Sequence, residues 1–272
     1  MPLVEQTLFG ESNKPAEAIA RIKHFEGTAL QLSPDGYYVA FSGGKDSIVV
    51  LDLVRRAGVA HKAHFHLTTV DPPELLAYIR VHYPDVTRER PRYSMYQLIK
   101  KNLMPPTRTA RYCCRELKER GGSDSMVITG VRWAESVRRK GRRLVEQCNR
   151  VARKMYLHPI IEWSDDEVWE YIKSRQLPYC SLYDEGLKRI GCVGCPMSPR
   201  HLPEQFKRWP RFARMYKHAF TEIVKARQSS GKLDEWDSAH PTLSNQWRTA
   251  EGLWQWWLSG QQSQSEDAGL FE

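Results

Sequence analysis

The 272-residue sequence contains no run of about 18 apolar residues, the length a helix needs to cross a bilayer, so no membrane-spanning segment is expected. It opens MPLVEQTLFGESNK, without a basic segment leading into an apolar one, so export through such a signal is not expected. The expected location is the cytoplasm, with no membrane partner. No segment repeats, which excludes solenoids and propellers. Six cysteines are too few to staple a chain of this length, and in a reducing compartment they are left with metal ligation, redox work or packing. A GxxxxGK[ST] loop is also missing, so the γ-phosphoryl transfer served by that loop is not implied.

What is present suits one core with appendages. Hydrophobic residues make up 41% of the chain, and single cores keep growing to about 250 residues. The reading divides the chain into a helical extension over residues 1–34, a main body over 35–200, a second helical extension over 201–260 and a polar tail over 261–272. A net charge of +9 favours polyanionic partners such as nucleotides or nucleic acid, through steering and counterion release.

Within the main body the hydrophobic period switches between two and 3.6 residues. Ile19, Ile22 and Phe25 predict a helix over residues 15–26, ahead of the core. A short β-prone run at 37–41 ends in SGGKDS, and IVVLDLVRRAG then reads as a helix closed by Gly58. Further strands are expected at 62–68 and 126–129, with a helix at 73–82 between them. Ser164 and Glu167 form a capping box that starts a helix near Asp165. This alternation predicts an α/β fold, a parallel sheet with helices on both faces. Residues 203–228 and 245–258 are helical in pattern and carry Trp209, Trp247, Trp254, Trp256 and Trp257, as packing groups or as a base-stacking surface.

Ser42, Gly43, Gly44, Lys45, Asp46 and Ser47 sit where a strand meets a helix. A helix N-terminus offers unsatisfied N–H groups and partial positive charge, and two glycines let the backbone approach a phosphate. Lys45 adds a full charge, Ser42 and Ser47 add hydroxyls, and Asp46 is placed to orient Lys45 or hold Mg2+ through water. The six residues read as a pyrophosphate cradle.

Cys113 and Cys114 are adjacent, whereas Cys192 and Cys195 form a CxxC. Adjacent cysteines point apart and suit a multinuclear iron–sulfur cluster better than one tetrahedral zinc, with structural zinc and a redox thiol pair as the alternatives. Arg111, Arg115 and Lys118 flank the first pair, where positive charge favours thiolates. Cys148 and Cys180 read as small buried hydrophobes, Cys180 being the better placed to line the site. GVRWAESVRRKGRR, residues 130–143, follows a predicted strand directly, which makes Arg132, Arg138 and Arg139 candidates for phosphate contacts. In HFHLTTVDPPE, Thr68, Thr69 and Asp71 are placed to touch ribose, base or magnesium, and His64 and His66 share a strand face.

Taken together, SGGKDS, TTVDPPE, GVRWAES, HPIIEWSDDEVWEYI and LPYCSLYDEGLKRIGCVGCP resemble the phosphoadenosine phosphosulfate (PAPS) reductase family of the PP-loop ATP pyrophosphatase superfamily, over about residues 35–200. The resemblance implies an adenine-nucleotide α-hydrolase-like fold, a loop that holds pyrophosphate while the α-phosphate is attacked, and a 4Fe-4S cluster on the four paired cysteines. Two departures point away from sulfonucleotide reduction itself: no cysteine follows Cys195, and the ATP loop is intact where those reductases have a degraded one. That combination is similar to the DNA phosphorothioation ATP pyrophosphatases of the Dnd and Ssp systems. The expectation is therefore an ATP pyrophosphatase and sulfurtransferase. Lys45, Asp46 and Arg132 are its catalytic residues, with ATP, Mg2+ and a 4Fe-4S cluster as cofactors. Its partners are a cysteine desulfurase and a nucleic-acid acceptor, foremost DNA, and a homo-oligomer is allowed for. A sulfonucleotide reductase, an adenylyltransferase making adenylylsulfate and a non-catalytic nucleotide-sensing DNA-binding module are the competing readings.

Overall fold

The computed structural model describes residues 3–7, 10–230 and 247–260. The tail expected at 261–272 lies outside them. The chain divides into two compact units: residues 1–66, 73–89 and 120–190 form the first, and 67–72, 90–119 and 191–272 the second. The expected body at 35–200 thus contributes to both.

The first unit is built on a six-stranded sheet. Its strands are β3 (Tyr37–Ala40), β4 (His61–His66), β5 (Thr87–Glu89), β6 (Met126–Ile128), β7 (Val145–Gln147) and β8 (Met155–Leu157), in the order β5-β4-β3-β6-β8-β7. Every neighbouring pair is parallel except β7 with β8. The expected parallel sheet thus has one antiparallel edge, because β7 and β8 are separated by a short connection, which favours an antiparallel return over a crossover. A hairpin of β1 (Val4–Thr7) and β2 (Gly10–Asn13) precedes the helices α1 (Lys14–His24) and α2 (Glu26–Leu32), so the segment expected as helical also carries strands.

Helix α3 (Lys45–Ala57) follows β3 and packs between α1 and α7 (Asp165–Ser174). Its buried Ile48, Val49, Leu51, Leu53 and Val54 supply the apolar stripe, and Gly58 at φ 70° ends it in the left-handed conformation expected of that glycine. Strand β3 lies between β4 and β6, so the chain leaves it in one direction and returns on the other side. Ligands gather outside the carboxyl ends of strands at such a switch point.

The second unit is helical: α5 (Met95–Asn102), α6 (Tyr112–Leu117), α8 (Leu202–Arg208), α9 (Pro210–Ser229) and a last helix at Ala250–Ser259. One helix was expected over 203–228. It breaks at Trp209 because Pro210 has no N–H to continue the ladder. Of the two readings for the tryptophans, packing is the one the structure takes: Trp209, Trp247, Trp254, Trp256 and Trp257 are all buried. Trp254 and Trp257 pack at tilted or edge-on angles against Phe206 and Phe220, and the Trp257 indole N–H donates to the Pro106 carbonyl at 2.8 Å.

Candidate functional site: a charged phosphate loop and a four-thiol cluster

Residues 42–47 turn directly from β3 into α3. Gly43 has φ +71°, and a Cβ there would come within 2.8 Å of Leu75 and Ile79, so the turn requires glycine twice over. Gly44 caps α3 without a side-chain bond. The Ser47 hydroxyl donates to the Gly44 carbonyl at 2.8 Å and accepts from the Ser42 N–H at 3.2 Å, which closes the loop on itself. The Lys45 N–H donates to the Tyr183 hydroxyl at 2.9 Å.

The side chains form one ionic network. Lys45 Nζ lies 3.5 Å from Asp46 and 3.3 Å from Asp165. Arg132 is 0% exposed; its Nε donates to Asp46 at 2.7 Å, Nη1 to the Trp163 carbonyl at 3.0 Å and Nη2 to Asp165. An unpaired guanidinium would be costly at such depth, and two carboxylates with a carbonyl compensate it. Arg132 thus holds Asp46 and Asp165 together beside the loop. Gly130 makes the approach possible, because a Cβ there would lie 2.9 Å from the Asp46 backbone. Burial works against ionisation of Asp165, but the Arg132 bond and the Lys45 charge hold its carboxyl below the usual range. A cleft of about 270 Å³ adjoins the network, lined by Asp165, Trp169, Tyr183, Gly186, Leu187 and Lys188.

Asp165 and Tyr183 are absent from the sequence-derived site. The first was visible only as a helix start and the second only inside a longer motif. Their roles depend on α7 beginning beside α3, a tertiary fact that no local pattern carries.

The basic stretch after β6 forms two short 3-10 turns, Trp133–Glu135 and Val137–Gly141. Arg139 is paired to Glu135, and Arg142 to Glu146 at 2.8 Å. Arg138 is exposed.

All four paired cysteines belong to the second unit. Cys113 and Cys114 stand in the first turn of α6, and Arg111 Nη2 donates to Cys114 Sγ at 3.4 Å. In the CxxC, Gly194 has φ +79°, and a Cβ there would strike the Tyr216 ring at 2.5 Å, which fixes the glycine between Cys192 and Cys195. The Gly194 N–H donates to Gln205 at 3.0 Å and the Val193 N–H to the Val70 carbonyl at 2.8 Å, so the turn is held from both sides. The four thiols interact electrostatically with one another. The hydrogen bond from Cys113, then, against burial, the one from Arg111, hold the Cys114 thiol down at about 5. The interaction with Cys192 foremost, and then Asp71 against the effect of burial, keep the Lys118 ammonium above the usual lysine range. Among the described residues, no group of three or more His, Cys, Asp or Glu side chains is gathered as one metal ion requires.

The structure groups Thr69 and Asp71 with the cysteines' unit. Asp71 accepts from the Thr68 N–H and hydroxyl, both at 2.7 Å, and the Thr69 hydroxyl accepts the Met95 N–H at 2.9 Å. Burial raises the Asp71 carboxyl despite those two bonds. His64 bonds to Glu89 at 3.1 Å, while His66 Nε2 bonds to the Tyr38 hydroxyl at 2.6 Å. The pair is spent on separate partners. Cys180 is buried in the first unit near Tyr78 and Tyr183, and Cys148 is half-buried at the end of β7.

Known proteins place this geometry. Residues 36–198 match the model of the phosphoadenosine phosphosulfate reductase domain. An uncharacterized protein of Methanocaldococcus jannaschii is 29% identical over 202 residues, covering 65% of this chain and 41% of that protein; the chain therefore spans about two fifths of that relative. The adenosine 5'-phosphosulfate reductase of Bacillus anthracis is 28% identical over 169 residues, 58% of this chain and 74% of the reductase. The solved phosphoadenylyl-sulfate reductase of Candida auris is 20% identical with a TM-score of 0.47, covering 64% of this chain and 95% of that one. With more than half of its residues inside the family model, the chain belongs to the phosphoadenosine phosphosulfate reductase domain family and has its mostly parallel PP-loop nucleotide-binding fold.

Proposed function

We propose that this protein cleaves ATP to AMP and pyrophosphate so as to activate a nucleic-acid oxygen, foremost on DNA, for replacement by sulfur. The observation that carries the reading is the Lys45, Asp46, Arg132 and Asp165 network at the N-terminus of α3. Such a network holds positive charge where pyrophosphate would depart and keeps a carboxylate in place for magnesium.

In this mechanism the β- and γ-phosphates of ATP lie on residues 42–47, with Lys45 neutralising their charge; Asp46 is the residue that would hold Mg2+, which would add charge neutralisation there. The acceptor oxygen attacks the α-phosphorus and pyrophosphate leaves with the electrons of the broken P–O bond. A persulfide sulfur, supplied by a cysteine desulfurase, then displaces AMP, and a thiol reduces the resulting disulfide to free the thiolated product. Arg132 keeps Asp46 and Asp165 aligned throughout. The donor set of four interacting thiols with Arg111 and Lys118 close by fits an anionic iron–sulfur group, which Cys113, Cys114, Cys192 and Cys195 would hold. When bound, that group supplies redox or sulfur-binding capacity.

A second reading, reduction of adenylylsulfate or PAPS, is favoured by the names of the relatives. One experiment separates the two. The anaerobic protein is incubated with Mg2+, ATP, a cysteine desulfurase, cysteine and either DNA or tRNA, and the digested nucleic acid is analysed by mass spectrometry. Sulfur in a linkage or base, with AMP and pyrophosphate formed, is the expected result. Thiol-dependent sulfite release from adenylylsulfate, with no sulfur in either nucleic acid, would establish the reductase. ADP and phosphate as products would overturn the loop chemistry itself.

A further inference from the structure

Trp133 is 40% exposed, the only tryptophan among the described residues in that state. Its indole N–H donates to the Arg142 carbonyl at 2.8 Å, which fixes the ring to the stretch that follows β6. On the same stretch Val137 is 84% exposed. Arg138, Lys140 and Arg143 are exposed as well, and none of the three forms an ion pair among the described residues. Arg139 and Arg142, in contrast, are each neutralised by a glutamate. The run RRKGRR thus sorts into two cations used internally and three directed at solvent, beside an indole that the core does not cover.

A solvated charged face has no use for a pinned, partly bare tryptophan, because exposing indole to water is unfavourable. Unpaired cations beside an exposed aromatic ring are what a single-stranded polyanion with free base faces would engage. The phosphates would neutralise the cations and a base would cover the indole. A duplex buries its base faces in the stack and leaves that ring without a partner. The buried tryptophans of the second unit have no surface to offer a base.

We propose that Trp133, with Arg138, Lys140 and Arg143, forms a binding surface for single-stranded or locally unpaired nucleic acid, with one base stacked on Trp133. The proposal rests on the nucleic-acid reading above and deepens it, by stating which form of the acceptor is engaged and by which residues. The acceptor enters as a strand with at least one unstacked base, and recognition there is tolerant of sequence.

The test is fluorescence anisotropy with a labelled oligothymidylate about 20 nucleotides long and with the same strand in duplex form. Binding of the single strand should weaken about tenfold or more in Trp133→Ala, stay near the parent value in Trp133→Phe, and remain unchanged for the duplex. Replacing Arg138, Lys140 and Arg143 together with glutamine should lower the slope of log affinity against log salt by about 2, one increment of about 0.7 per lost phosphate contact. Equal single-strand affinity in Trp133→Ala and the parent would overturn the surface while leaving a nucleic-acid acceptor standing. Absence of binding to DNA and RNA at low salt would overturn both. Loss of desulfurase binding in the triple variant, with nucleic-acid binding intact, would reassign the patch to a protein partner and overturn the proposal.

Discussion

The two units solve the same electrostatic problem in opposite ways. In the first, two cations and two carboxylates compensate one another, and a buried arginine fixes the geometry. In the second, four thiols interact electrostatically, with Arg111 and Lys118 as the cations whose bonds and charge reach them. In the first arrangement each cation lies within ion-pair distance of both carboxylates. In the second the thiols outnumber the cations that reach them.

Breaking the thiol cluster should have the largest effect on composition. Protein purified and reconstituted anaerobically is expected to hold about four irons per chain with matching sulfide, falling to near zero in Cys113→Ser or Cys192→Ser and unchanged in Cys148→Ser. One zinc and no iron after reconstitution would replace the cluster with a structural site. In the loop, Lys45→Ala should slow ATP cleavage about a hundredfold, as loss of one charge from a preorganised site does, while the iron content stays the same. If iron is lost as well, the two regions are not the separate devices described here.

Arg132→Met tests stability rather than chemistry. It leaves Lys45 as the remaining cation beside Asp46 and Asp165, and because Asp165 is largely exposed the cost stays at the low end for a broken buried pair, about 3 kcal/mol, readable in urea unfolding. Gly130→Ala should cost less, about 1–2 kcal/mol, because its Cβ crowds the Asp46 backbone without removing a charge. A further effect is on pH dependence. Burial foremost holds His66 and His158 down at about 4. An unfolded histidine takes its proton near pH 6.5, so the folded state is fully favoured above that value and loses stability as pH falls from about 6.5 to 4. Melting temperatures of His66→Gln and His158→Gln should fall less steeply over that interval than those of the parent.

Much of the first unit was legible because its signals are local. The loop, the Gly58 stop and the Ser164 capping box each lie within one turn of the element they define. The antiparallel β7 was hidden by its charge: a strand of three residues inside a basic stretch leaves no alternation to read. Thr69 and Asp71 are read with the nucleotide because they follow β4; that their hydrogen bonds are made within the cysteines' unit, where Val70 meets Val193, no local pattern tells. The tryptophans showed how many aromatic rings the C-terminal helices carry, but which ring stays bare depends on packing that sequence spacing does not encode.

The arginine that completes the loop also sets a clock. Arg132 lies 86 residues beyond Asp46 and 33 before Asp165. At about 5–20 residues per second, a ribosome makes Asp46 some 4 to 17 s before the arginine that will hold it. Throughout that interval the nascent chain carries the complete SGGKDS motif without the clasp that aligns its charges. The ionic network of the loop can therefore close only once residue 165 has also been made.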